Sequence, residues 1–299
     1  MIPRVSPPSE IVIGSLAELD AHLAPIDRPD TPDDELRREL ARLHLDLPEA
    51  VRLRRLDPFS TPYRDAVLAL LEGIRGGAYA QEHEGLDIEV EHELRWGFPY
   101  GTQSFATVGG YLIAYGHLIR AMELPPGARI LKVGCGTGSL SQYLARMGYR
   151  LTCVDLNASN LELIRRATAG LAVPASVVRA DMNELSPAQL QDAVVFFESL
   201  HHCLDHAALL ERVKGWLAPG GRLVLGAEPI VSGQPPVVPY PWGPRLDGES
   251  LRAIRRFGWM ELGFDEAYLF ELLGRTGYTW ERRRSPESHW ADVIVARPR

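Results

Sequence analysis

The stretch ILKVGCGTGSL, residues 130–140, decides the fold. Ile130, Leu131 and Val133 are apolar and suit a buried strand, with Lys132 as the one charged residue among them. Gly134, Gly136 and Gly138 then break the run, and an amphipathic helix is predicted near 139–147. Glycine reaches backbone conformations closed to other residues and lets a ligand come close to the main chain. The N–H groups at the start of the following helix can receive negative charge. Strand, glycine turn and helix together form a candidate nucleotide-cofactor site. An ordinary tight turn has the same local pattern, so the flanking sequence must discriminate.

Outward from this stretch, β-rich runs near 129–133, 150–155, 175–180, 192–197 and 221–227 alternate with helices near 139–147, 158–169 and 206–217. That alternation predicts an α/β domain, a parallel sheet with helices on both faces. Gly148 and Gly220 stand where helix C-caps are expected. A helix near 265–275 precedes strands 278–284 and 290–296, which can close the sheet as an antiparallel hairpin. Asp155 ends the strand after the glycine turn, where a carboxylate can accept both ribose hydroxyls. Asp181 ends the third strand and, with the Met182 amide, can meet an adenine edge.

With these positions in place, VGCGTG (133–138) resembles the cofactor loop of class I S-adenosylmethionine-dependent methyltransferases. The Gly-x-Gly-x-Gly spacing is tighter than the GxGxxG of nicotinamide and flavin enzymes, which suits a cofactor without a pyrophosphate. The resemblance implies a Rossmann-like seven-stranded sheet whose last strand is inserted antiparallel. It assigns Gly134, Cys135, Gly136 and Gly138 to the methionine and ribose side, Asp155 and Leu156 to the ribose, and Asp181 and Met182 to the adenine. Residues 96–131 are also similar to the segment before the cofactor loop in bacterial methyltransferases associated with glycosyltransferases and surface-polysaccharide synthesis. That likeness places Tyr100, Gly101, Tyr111 and His117 above or beside the cofactor. Lys132 departs from the family, which has an acid there that helps hold the cofactor ammonium. Lys132 is expected either to pair with the cofactor carboxylate or a local acid, or to weaken binding in a protein drifting from catalysis. Under the first reading Lys132→Glu or Lys132→Asp tightens cofactor binding.

The fourth strand delivers VVFFESLHHCLDH, residues 194–206, to the same sheet edge. Methyl transfer to a hydroxyl needs an aligned nucleophile, a proton acceptor and exclusion of water. Histidine suits the proton step, so His202 is the first candidate base and His201 the second, with Glu198 beside them at the cofactor. Glu198, His202 and His206 are spaced by four, as metal ligands on a helix would be. Glu198 is expected at a strand end and Asp205-His206 at a helix cap, so no metal is assigned. Glu228 ends the fifth strand and is assigned to the acceptor pocket. The long connection 229–262 reads as a lid, in which Tyr240, Trp242 and Trp259 can stack on an acceptor and Arg245 and Asp247 can bind hydroxyls or phosphate.

Composition sets the outer bounds. The 299-residue chain is 45% hydrophobic and carries a net charge of −7, a field that disfavours nucleic acid as a partner. Arg282-Arg283-Arg284 is expected to be a solvated face. Three widely spaced cysteines argue against a disulfide framework and for a cytoplasmic setting. The absence of an apolar run of ~18 residues argues against membrane insertion. Residues 1–123 are rich in proline and read as a helical extension, with helices from Thr31-Pro32 to about Leu45, Pro62 to Ile74 and Ser104 to Met122, and little room for strands. This extension is expected to cover the cofactor or to build a homodimer interface, with 124–299 as the catalytic domain. The resulting expectation is transfer of methyl from S-adenosylmethionine to an oxygen, or less favourably a nitrogen, of a small molecule or saccharide. Its rivals are a non-catalytic cofactor-binding regulatory or assembly protein and a nicotinamide oxidoreductase.

Overall fold

A computed structural model describes residues 10–28, 31–95, 102, 104–231 and 238–299. In chain order the elements begin with β1 (Ile11–Ile13), α1 (Leu16–Leu23), α2 (Asp33–Leu40), β2 (Leu43–Leu45), α3 (Pro48–Leu53) and α4 (Thr61–Arg75). There follow α5 (Val90–Arg95), α6 (Phe105–Met122), β3 (Arg129–Val133), α7 (Ser139–Arg146), β4 (Arg150–Asp155), α8 (Ala158–Thr168) and β5 (Ser176–Arg179). Next come β6 (Gln191–Phe197), α9 (His206–Val213), β7 (Leu217–Gly226), β8 (Ile230–Val231), β9 (Trp242–Pro244) and α10 (Gly248–Phe257). The chain closes with β10 (Leu262–Asp265), α11 (Glu266–Arg275), β11 (Tyr278–Arg284) and β12 (Asp292–Pro298). Two compact units result: residues 1–80 with 231–268, and residues 81–230 with 269–299.

The second unit carries a seven-stranded sheet in the order β11-β12-β7-β6-β3-β4-β5. Strands β3 to β7 pair in parallel. β12 is antiparallel to both its neighbours, β7 and β11, the inserted last strand that the resemblance implies. On one face Ile130, Cys153, Val195, Val224 and Val293 pack with Tyr115 and Leu118 of α6, Leu140 and Leu144 of α7 and Ile164 of α8. Residues of the opposite parity, Leu131, Val133, Val194, Phe196, Leu223 and Leu225, are buried as well, as a sheet covered on both faces requires. The sheet-bearing unit takes in residues 81–123 as well, and in it Tyr111, Tyr115 and Leu118 of α6 are packed in the core. Ser104 caps α6 by accepting from the Thr107 amide at 3.3 Å.

Gly220 takes a left-handed φ of 78°, yet it lies inside β7 and caps no helix. Gln191 pairs with Leu217 while Ala193 pairs with Arg222, so an irregular excursion of β7 absorbs the glycine.

The first unit departs from the all-helical expectation. Residues 43–45, read as the end of a helix from 31, form β2 in parallel with β1. Leu43 and Leu45 are buried while His44 is not, and the strand forms because its partner arrives from 32 residues upstream (43 − 11 = 32). The stretch expected as a lid is largely built into this unit: Tyr63 Oη donates to the Trp242 carbonyl at 2.7 Å, and β9 pairs antiparallel with β10. Among the described residues no helix is long and apolar enough to cross a membrane.

Candidate active site

The glycine turn after β3 puts Gly134, Gly136 and Gly138 at φ of 60°, 52° and 77°, conformations that favour glycine. Their surroundings differ. A Cβ at Gly134 would lie 2.6 Å from Ser199 Cβ and one at Gly138 2.2 Å from Ile164 Cγ1, whereas one at Gly136 would meet nothing within 4 Å. Gly134 and Gly138 are therefore demanded by packing, and Gly136 borders open space. Asp155, at the end of β4, borders it too: its carboxylate accepts from Gly136 N at 2.8 Å and from Asn157 N at 2.9 Å. Asn157 in turn caps α8, accepting from Ser159 N at 2.8 Å. Cys135 is buried, its Sγ 3.6 Å from Asp155, and the Leu156 carbonyl accepts from Arg179. Asp181 folds an Asx turn on the Asn183 amide at 2.7 Å, and the Met182 carbonyl accepts from Arg212. A carboxylate beside a main chain with room for a ligand fits the ribose of S-adenosylmethionine. Gly134, Cys135, Gly136, Asp155 and Leu156 would hold that side, with Asp181 and Met182 at the next strand end.

Lys132 is 2% exposed, and its Nζ donates to the carbonyls of Gly134 at 2.6 Å, Val133 at 3.1 Å and Phe197 at 3.5 Å. The expected partner, a cofactor carboxylate or a local acid, is replaced by main chain: Lys132 ties the glycine turn to the end of β6. Burial holds its pKa below the usual lysine value, with Cys135, Glu228, Cys153 and Asp155 pulling the other way. The expected benefit of an acid at 132 accordingly reverses. Lys132→Glu would set a carboxylate against three carbonyl oxygens and is expected to cost about 3 kcal/mol of stability and to weaken, not tighten, S-adenosylhomocysteine binding. Chemical denaturation and titration calorimetry on the variant check both.

After β6 the chain makes a sharp excursion. Glu198 adopts φ 47°, strained for a side-chain-bearing residue, and its amide donates to the Gly226 carbonyl at 3.0 Å. Ser199 Oγ donates to the Val133 carbonyl at 2.9 Å, binding this turn to the end of β3. Glu228, assigned above to the acceptor pocket, instead organises the turn. Its carboxylate is buried and accepts from the amides of Ser199 and Leu200 at 3.0 Å and His201 at 3.1 Å, and it lies 2.9 Å from His201 Nδ1. Burial raises its pKa, but the His201 ring and the amides outweigh that and leave it below the ordinary value. His202 is less buried, and its Nδ1 lies 2.9 Å from Glu84 Oε2. The two imidazole centroids are 4.3 Å apart. The site is therefore two adjacent imidazoles, each backed by a carboxylate.

His206 does not join them as a ligand. It is 1% exposed, with Nδ1 3.2 Å from the Cys203 carbonyl, and burial lowers its pKa to about 4. The folded state keeps this ring neutral while an unfolded ring charges near pH 6.5. The His206 contribution is whole above that value and is lost as pH falls toward about 4, worth about 3 kcal/mol at most. His206→Gln is expected to flatten stability against pH across this window, measured by urea unfolding.

Several residues expected at the acceptor serve other purposes. Tyr111 is 5% exposed and stacks on Trp290 with centroids 4.4 Å apart. His117 Nε2 lies 3.0 Å from the Arg283 carbonyl of β11. Tyr240 and Trp242 are buried in the first unit, where Tyr240 Oη donates to the Pro244 carbonyl and Trp242 Nε1 to the Pro58 carbonyl at 2.8 Å. Arg245 pairs with Glu261, Asp247 caps α10, and Trp259 stacks on Phe257. Arg282 and Arg283, expected on a solvated face and not at the acceptor, are ion-paired with Asp292 and with Glu123 and Glu281 respectively. Tyr100 and Gly101 lie outside the described residues. Sequence reading missed Glu84 and Ser199. Ser199 was legible as a neighbour of the histidines, whereas Glu84 sits among many surface-type acids, and nothing local marks it.

Comparison with known proteins adds to this geometry. Residues 131–225 match the family described as "Methyltransferase domain". A ubiquinone biosynthesis O-methyltransferase of Xanthomonas axonopodis pv. citri is 35% identical over 103 residues, 34% of this chain and 43% of that one. An S-adenosyl-L-methionine-dependent Diels-Alderase of Talaromyces variabilis is 33% identical over 109 residues, 35% of this chain and 37% of that one. The chain thus spans less than half the length of these relatives. Among solved structures, an S-adenosylmethionine-dependent methyltransferase from Mesorhizobium loti aligns with TM-score 0.49 at 23% identity, covering 62% of this chain and 96% of that one.

Proposed function

We propose that this chain, which carries a class I S-adenosylmethionine-dependent methyltransferase domain, transfers a methyl group to an oxygen of a small hydroxylated molecule. One observation carries the reading: the glycine turn and the histidine turn are built against each other. Ser199 bonds the Val133 carbonyl and fills the space a side chain at Gly134 would need, which supports reading the open space at Gly136 and the paired imidazoles as parts of one site. When bound, the cofactor supplies an electrophilic methyl on a sulfonium sulfur. Asp155 binds and orients it, and the backbone of the turn, held by Lys132, keeps the shape of the cradle. His202 takes the acceptor's hydroxyl proton, and His201, fixed by buried Glu228, packs against the His202 ring.

The O-methyltransferase relatives support oxygen as the acceptor atom. A saccharide remains one hydroxylated class among those to test, since two of the three aromatic residues first assigned to stack on it, Tyr240 and Trp242, are buried in the first unit. The test is calorimetric titration with S-adenosylhomocysteine, followed by transfer of labelled methyl to a panel of catechols, phenols, sugars and amines. Binding at a Kd of about 1 μM or tighter, roughly −8 kcal/mol, with label on a hydroxyl compound is the expected result. No binding would overturn the assignment. Binding with no transfer to any acceptor would favour the regulatory alternative.

A further inference from the structure

The segment 81–95, read from sequence as part of a helical extension, belongs to the sheet-bearing unit and is fastened to α8. Asn157 Nδ2 donates to the Leu86 carbonyl, Ile88 N donates to Ser159 Oγ at 3.0 Å, and Arg166 pairs with Glu91 at 2.6 Å. Asn157 is two residues beyond Asp155, so this strap is anchored beside the carboxylate assigned to the cofactor. Its short 3₁₀ turn, Gln81–Glu84, brings the Glu84 carboxylate, 7% exposed, to 2.9 Å from His202 Nδ1. A carboxylate this close to an imidazole nitrogen favours a proton on that nitrogen by charge, which leaves the lone pair on the other.

We propose that Glu84 is the positioning residue for His202: its negative charge, 2.9 Å from Nδ1, favours the proton on that nitrogen and so the tautomer in which Nε2 removes the acceptor's hydroxyl proton. This rests on the transferase reading above. The O–H bond breaks, its proton goes to Nε2 and its electron pair stays on oxygen, where it forms the bond to the methyl carbon; the pair of the broken C–S bond remains on sulfur. The imidazolium so formed lies against the Glu84 carboxylate, which offsets its charge until the proton passes to water. Glu84 touches neither acceptor nor cofactor in this scheme and acts through His202. The anchoring of the strap beside Asp155 gives the dyad a fixed relation to the cofactor cradle.

The experiment uses the full chain and has two readouts. Long-range ¹H–¹⁵N spectra, with the His202 signal identified by its loss in His202→Gln, are expected to show Nδ1 protonated and Nε2 bare, and to show mixed tautomers in Glu84→Gln. With an acceptor in hand, Glu84→Gln is expected to lower kcat ~100-fold with the acceptor KM and S-adenosylhomocysteine Kd within about twofold, and Glu84→Asp to recover part of the loss. An Nε2-protonated or mixed wild-type ring overturns the proposal even with no acceptor known. So does an unchanged kcat in Glu84→Gln. Should wild-type protein bind no S-adenosylhomocysteine yet show the Nδ1 tautomer, the transferase reading fails while the dyad stands.

Discussion

Gly138→Ala is expected to lower unfolding free energy by about 3 kcal/mol and to abolish measurable S-adenosylhomocysteine binding. Two terms add. An alanine at φ 77° pays roughly 1–2 kcal/mol for a left-handed backbone. Its Cβ would also stand 2.2 Å from Ile164 Cγ1 of α8, an overlap relieved only by moving a buried side chain, at about 1–3 kcal/mol. Gly136→Ala separates packing from binding. Its Cβ meets no protein atom within 4 Å, so only the backbone cost applies, while the methyl enters the space assigned to the ligand. Folding within about 2 kcal/mol of wild type together with an affinity loss of tenfold or more is the expected pair of results. Urea unfolding and calorimetry on both variants read them. Wild-type affinity in Gly136→Ala would mean that the cofactor lies elsewhere.

Glu228→Ala should be among the most damaging single changes in the sheet unit, at about 4 kcal/mol. It would strip a buried carboxylate from three backbone N–H groups and from His201, leaving those donors without an acceptor in a dry site. The linkage with pH has a definite sign. The folded pKa of Glu228 lies below its ordinary 4.5, so its contribution is whole above that value and is lost as pH falls through the lower folded value. Glu228→Gln keeps the shape, loses the charge and is expected to remove this acid-side slope. Unfolding curves from pH ~3 to ~6 test the sign. A slope unchanged in Glu228→Gln would show that folding does not shift the carboxylate's pKa. Transfer activity should fall as well, because the same carboxylate holds the turn that carries His201 and His202.

Much of the sheet was legible because its signals are local. β3, β4 and β6 are runs of apolar residues bounded by glycine or acid, and the turn glycines take positive φ where the sequence places them. Asp155 was legible as a strand-end carboxylate and does reach the glycine turn. Lys132 was legible as an anomaly but its role was not, since its partners are carbonyl oxygens, and every residue type has those. Glu228 was placed at the correct strand end and given the wrong task. Its four donors come from a turn about thirty residues earlier, and only folding shows that they converge on it.

Periodicity and turn chemistry therefore determined the layered architecture and where the turn glycines, Asp155 and the pair of histidines fall in it, because each depends on neighbours within a few positions along the chain. Partner choice belonged to the tertiary structure. The pairing of Glu84 with His202 across 118 residues (202 − 84 = 118), the burial of Trp242 against Tyr63 and the pairing of β2 with β1 each join segments whose own sequences fit several environments. The energy of a polar or aromatic side chain is set by what surrounds it in space, and the chain's path alone decides that.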